Sequence, residues 1–422
     1  MSEVAGRRKR CTQRVALVVV LGWTLAADSA FGGEHWPRFR GPNGTGVSDE
    51  KGFPTQWSDD AYAWKVQLKG LGHSSPCVWG DSLFLTSALA DGSKRFLTSY
   101  STSTGDERWT RDIETEAEEV HDLNSYASPT PTTDGERVYL SFASGHQFYL
   151  AAFAFDGAPA WSVDLGKFEN GPNHGYGTSP IVHGDLVILS FSQEKNSAVL
   201  ALDRVTGAPR WRTPREGRLT CHSTPFLIEK KGGGHDLFVS AGDGILSLDA
   251  RSGHLNWRED VLGSRVVASP VYTHGLVFAT SGGQGQGRAL AAARMHHEGD
   301  PAARIVWTRK RELPYVPTPL AFGDHLYLWN DKGVVVCLEA KTGEEAWKQR
   351  VGGNFSGSPI WLEGRLYCVS REGEVVVLKA GPEYELLGRT SLGEGSHGTP
   401  AVAGGRMFLR GFQHLFCLQA TR

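Results

Sequence analysis

Three histidines stand at one register in this 422-residue chain, each three residues ahead of a proline: His73 before Pro76, His222 before Pro225 and His397 before Pro400. An imidazole titrates near neutrality and can hold a proton, an anion or a metal, so three at one structural address could converge on a ligand. Tyr126 holds the same place before Pro129, His174 and Tyr176 precede Pro180, and Asp122, Asn124 and Tyr315 lie in the corresponding stretches. These nine residues are the candidate ligand-binding set, a polar and aromatic funnel suited to a small anion, a metal or a peptide. The alternative is that they bond their own loops and fill a channel mouth. The sequence points to no catalytic residue and no metal ligand.

The elements that would position them repeat. Ser/Thr-Pro followed by an apolar strand occurs at Ser75-Pro76, Ser128-Pro129, Ser179-Pro180, Thr224-Pro225, Ser269-Pro270, Thr318-Pro319, Ser358-Pro359 and Thr399-Pro400. A spacing of about 40 to 53 residues is that of propeller blades. In the fourth repeat Phe226-Leu227-Ile228, Leu237 to Ser240, Ile245 to Asp249 and Leu255 to Trp257 read as four strands separated by turn formers such as Asp243-Gly244 and Ser252-Gly253. The fold class is therefore all-β: an eight-bladed propeller of four-stranded antiparallel blades. In a propeller the loop entering each innermost strand opens at one face of the central channel. His73 and His397 should be neighbours where the ring closes, with His222 across the channel.

Glycine is followed four residues later by tryptophan in five repeats: Gly105/Trp109, Gly157/Trp161, Gly207/Trp211, Gly253/Trp257 and Gly343/Trp347. Repetition at one place reads as packing between blades, worth at most roughly 4–6 kcal/mol per ring from the area a Trp can bury. Trp64 and Trp307 begin comparable strands without that turn before them. The last repeat has room for three strands only, so Tyr62–Leu68 should complete the blade that holds the C-terminus and pair the otherwise free edge.

Composition narrows the function. The formal net charge is −2 and no basic run follows residue 14, which argues against nucleic acid as a partner. Residues 1–30 read as a signal peptide: Arg7 to Arg10 and Arg14 precede an apolar stretch from Val15 to Leu25, too short to span a bilayer comfortably. Residues 31–60, with Trp36, Phe39, Phe53 and Trp57, read as an irregular segment pinned to the ring, and 61–422 as one propeller. Cys77, Cys221, Cys337, Cys368 and Cys417 read as small buried apolar residues, a single long-range bridge remaining open.

Other motifs carry less. Gly282 to Gly287 has nucleotide-loop spacing but no following helix. His296-His297-Glu298 lies in a Gly/Pro/Asp-rich insertion and reads as a solvated loop. The acidic run Glu114 to Glu119 reads as a solvated connection. No Gly-x-Ser-x-Gly elbow occurs.

Leu248-Asp249-Ala250-Arg251-Ser252-Gly253-His254-Leu255-Asn256-Trp257 resembles the repeat of the PQQ-like β-propeller family, as do Leu202 to Trp211 and Leu338 to Trp347. Trp36-Pro37-Arg38-Phe39-Arg40-Gly41-Pro42-Asn43-Gly44 is similar to the N-terminal segment of secreted bacterial members. The resemblance implies either a quinoprotein dehydrogenase of alcohols or sugars, holding pyrroloquinoline quinone (PQQ) and calcium over the channel, or a non-catalytic propeller such as the scaffold of the outer-membrane β-barrel assembly machinery. The chain departs from the enzyme pattern: it lacks adjacent cysteines, long roofing loops and a Cys-x-x-Cys-His haem site. The reading is thus a non-catalytic periplasmic or secreted propeller without cofactor. It expects a protein partner or small ligand on one ring face, no nucleic acid, membrane contact only if the N-terminal segment is retained, and a monomer.

Overall fold

The computed structural model describes Met1 and residues 33–169, 174–217, 219–283, 287–295 and 304–421. The proposed signal segment and His296-His297-Glu298 lie outside the described residues. The described residues from Gly33 onward form one compact unit of eight sheets, each with an antiparallel four-stranded blade, and no α-helix occurs among them.

Each sheet follows from the local sequence. In blade 4, strands Phe226–Glu229, His235–Ala241, Gly244–Asp249 and Leu255–Glu259 pair in order. The two middle strands are buried on both faces, because blades cover them on either side. Core clusters accordingly lie between blades: Ile188, Val199 and Ala201 of blade 3 pack on Leu237, Val239 and Leu246 of blade 4. The outermost strands alternate half-buried and exposed residues, as in Pro209–Pro214.

Ring closure is as the strand count requires. Tyr62–Gln67 pairs antiparallel with His414–Gln419, beyond which lie Arg406–Arg410 and Ala401–Ala403. Trp64 pairs with Cys417, and Leu68 still donates to the Gln413 carbonyl at 2.7 Å.

A second closure runs around the channel. The backbone N–H of each repeat's Ser or Thr donates to the hydroxyl oxygen of the next: Ser75 to Thr130, Thr130 to Ser179, Ser179 to Thr224, Thr224 to Ser269, Ser269 to Thr318, Thr318 to Ser358, Ser358 to Thr399, and Thr399 back to Ser75, at 2.9–3.4 Å. The following proline has no N–H to leave unpaired and holds the preceding residue extended. This circle corrects one register: in blade 2 the structural equivalent is Thr130-Pro131, two residues beyond Ser128-Pro129. With that shift, serine and threonine alternate strictly around all eight positions.

The tryptophans sit between blades. Each ring lies over the turn glycine of the next blade: Trp64 over Gly105, Trp109 over Gly157, Trp161 over Gly207, Trp211 over Gly253 and Trp307 over Gly343. Five of the rings donate Nε1–H to a carbonyl of the neighbouring turn, for example Trp64 to Thr102 at 3.0 Å and Trp347 to Gly381 at 3.0 Å. Trp64 and Trp307 take the same seat as the others, although the turn that marked the motif does not precede them.

Residues 33–60 are mostly irregular but carry two short strands. His35–Trp36 adds an antiparallel strand to blade 1 and Val47–Ser48 a parallel strand to blade 7. Between them the chain crosses one end of the channel. Pro37 O accepts from Thr132 and Thr133 of blade 2, Arg38 donates to Pro225 O of blade 4 at 2.6 Å, and Arg40 donates to Pro319 O and Pro359 O of blades 6 and 7. Trp36 and Phe53 are buried and Trp57 is half-buried against the core shared by blades 7, 8 and 1. All five described cysteines are free and buried.

Candidate functional site

The channel holds a cavity of about 600 Å³. Phe39, from the crossing arm, lines its floor, and the eight Ser/Thr hydroxyls form its waist. Above them lies a second circle, the residue three before each repeat proline: His73, Ser128, Gly177, His222, Val267, Val316, Ser356 and His397. The mouth is completed by loops entering the inner strands (His121, Leu123, Asn124, His174, Arg265, Tyr315) and by hairpin turns such as Asn330 to Lys332 and Arg371.

Six of the nine expected residues therefore face one cavity: His73, Asn124, His174, His222, Tyr315 and His397. Three do not. Tyr126 is displaced by the register shift in blade 2, which puts Ser128 at the equivalent place; its carbonyl accepts from Arg95 Nε at 2.7 Å and its ring lies beside that guanidinium. Tyr176 is buried in the core against Phe148, ring centroids 4.1 Å apart. Asp122 is exposed and outside the lining. The acidic run also differs from expectation: Glu118 forms a buried ion pair with Arg95 at 2.7 Å.

Two imidazole–guanidinium groups occupy different arcs of the wall. At the seam, His73 and His397 lie 4.1 Å apart, both beside Phe412. Burial, the paired imidazole and the guanidiniums of Arg410 and Arg371 lower the pKa of His73 to about 2. Burial and Arg371 lower that of His397 to about 4. On the loops entering blades 2 to 5, Arg265 donates to Nε2 of His174, which stacks on His121 at 5.5 Å. Burial and then Arg265 lower His174 to about 4 and His222 to about 3. All four rings are neutral near pH 7. Asp331 is the one carboxylate in the lining among the described residues, and its oxygens accept the backbone N–H groups of Tyr315 and Val316 at 2.7 and 3.1 Å.

Sequence reasoning missed His121, Arg265, Arg288, Lys332 and Arg371. Lys332 and Arg371 sit in second-to-third-strand turns, which open on the same face as the entering loops; that topology was the available signal.

A calcium-bound quinone would require six to eight oxygen ligands around the ion, several from carboxylates. Among the described residues of the lining Asp331 alone offers a carboxylate, already engaged by two N–H donors, beside four cationic side chains. No group of three His, Cys, Asp or Glu able to hold a metal occurs among the described residues. The donor set does not fit the ion.

Comparison with known proteins agrees with the architecture. The family profile described as outer membrane protein assembly factor BamB matches residues 55–297 and 297–382. The outer membrane protein assembly factor BamB of Burkholderia pseudomallei (strain K96243) is 30% identical over 108 residues, 25% of this chain and only 28% of that protein's length. The crystal structure of BamB from Moraxella catarrhalis superposes with a TM-score of 0.60 at 17% identity, covering 84% of this chain and 98% of that one. A europium-containing methanol dehydrogenase gives 0.54 at 12% identity, covering 89% of each. At these identities the two structures attest the fold alone. The extent of the profile match establishes that the chain belongs to the PQQ-like β-propeller family of the outer membrane assembly factor BamB.

Proposed function

We propose that this protein is a non-catalytic, extracytoplasmic propeller that holds a protein partner against the mouth of its channel. The observation that carries this reading is the inequality of the two faces. The arm from Trp36 to Ser48 crosses one end, so the cavity is a cup open at the loop-bearing face. Rigid blades displaying loops suit binding. Acid–base catalysis needs groups poised near the working pH. Here His73, His174, His222 and His397 stay neutral down to about pH 4 and Asp331 is committed to the backbone. Membership of an assembly-factor family supports a protein partner.

The test places a photo-crosslinking residue at Leu123, on the lip of the cup, or at Val205, on a turn of the opposite face; each side chain is 48% exposed. In cells of the native host, Leu123 should yield one discrete adduct with another polypeptide and Val205 none. Equal labelling at both positions, or no adduct at Leu123, would refute the proposal.

A further inference from the structure

The charges around the cup do not balance. Among the described residues Arg265, Arg288, Lys332 and Arg371 line it against the single carboxylate of Asp331. Beneath the cavity, Arg38 and Arg40 flank Phe39, are buried, and bond to carbonyl oxygens. Among the described residues none of these six cations forms an ion pair with a carboxylate. Buried guanidiniums without a counter-charge are costly, and an anion entering the cup would supply one.

The uncharged groups point the same way. Each waist hydroxyl accepts a backbone N–H, and no hydrogen bond donated by any of the eight is found among the described residues. A hydroxyl carries one hydrogen, so eight donors remain for the cavity. Nδ1 of His222 and Nδ1 of His397 are shielded from solvent and have no hydrogen-bond partner among the described residues.

We infer that the cup receives an acidic, carboxylate-bearing segment of the partner, gripped between Arg265 on one arc of the wall and Arg371 on another. This rests on the reading that the mouth binds a protein. A peptide is favoured over a compact anion because the cations are graded in depth. Arg288 and Lys332 are exposed at the rim, Arg265 and Arg371 half-buried on the walls, and Arg38 and Arg40 buried below. One compact anion meets one of the two levels that line the cavity; a chain with carboxylates at intervals meets both rim and wall. The closed floor prevents threading, so the segment enters and leaves by the same opening.

The test uses the purified full chain and a rhodamine-labelled decapeptide alternating glutamate and serine, followed by fluorescence anisotropy at low salt. Saturable one-to-one binding is expected, weakened about tenfold or more by Arg265→Gln or Arg371→Gln, as for loss of one member of a close charge pair. Arg288 is exposed and holds no ion pair among the described residues, so Arg288→Gln keeps the fold and should still weaken binding about threefold. Arg251→Gln, on the opposite face, should leave binding unchanged, and a glutamine/serine decapeptide should not bind. Equal loss from Arg251→Gln, equal binding of the glutamine peptide, or displacement by equimolar citrate would overturn the inference. A Leu123 adduct that persists while the acidic peptide fails to bind overturns this inference and leaves the protein-binding reading standing. Peptide binding without the adduct refutes a partner held at the mouth and leaves standing only the cup's affinity for a carboxylate-bearing chain.

Discussion

At the scale of single residues, the cavity histidines set a pH limit. Free His73 would take its proton near 6.5, but in the fold, against His397, Arg410 and Arg371, it does so only at about 2. Between these values the unfolded chain binds the extra proton, so stability falls as the pH drops below about 6.5 and stops falling only near 2. At pH 5 this single group should cost up to about 2 kcal/mol relative to pH 7. Denaturant unfolding at the two pH values should show the loss, and His73→Gln should reduce it; equal slopes for both proteins would show that the ring is not held neutral by the fold. Part of this site was legible beforehand. A shared distance from a proline marks His73, His222 and His397 because loop length fixes where a side chain projects. Arg265 and Arg371 carry no such mark: each reaches the cavity by a bond that local sequence does not encode, Arg265 to the Thr220 carbonyl at 3.0 Å and Arg371 to the Ser356 hydroxyl at 2.8 Å.

At the scale of elements, the hydroxyl circle and the tryptophan–glycine seats join one blade to the next. Ser75→Ala removes the acceptor for the buried Thr399 N–H and should cost about 1–3 kcal/mol. Ser75→Thr should restore most of it, because four of the eight positions already carry threonine. Chemical denaturation of the three proteins measures both; an alanine variant as stable as wild type would mean that the bond contributes nothing. Gly253→Ala should also destabilise, by about 1–3 kcal/mol. Gly253 has φ +72° and an added Cβ would lie 2.4 Å from the Trp211 ring. Strand order and the tryptophan seats could be read from spacing, since hairpin turns and apolar runs are local signals. The register of blade 2 could not. Ser128-Pro129-Thr130-Pro131 offers two adjacent copies of the motif, and only partners on blades 1 and 3 decide between them.

At the scale of the whole molecule, the ring is sealed by its own two ends. Deleting residues 1–67 would strip the outer strand from His414–Gln419 and remove the arm across the channel floor. The expected result is loss of the single cooperative transition and self-association through the bared edge, seen by calorimetry and size exclusion. A monomer melting in one step would contradict it. The number of blades was foreseeable because missing and surplus strands can be counted, whereas the arm's path was not, since Pro37 to Gly46 has no periodicity and finds its carbonyl partners on blades far apart in sequence. The alternation of serine and threonine around the waist adds a rule of parity. A two-letter order returns to its starting point only on an even circuit, so the molecule's pseudo-symmetry is fourfold and its true modular unit is a couple of sheets. Cutting and rejoining the polypeptide two sheets along would preserve that order, one sheet along would exchange every letter, and a shorter descendant that kept the pattern would have six sheets rather than seven.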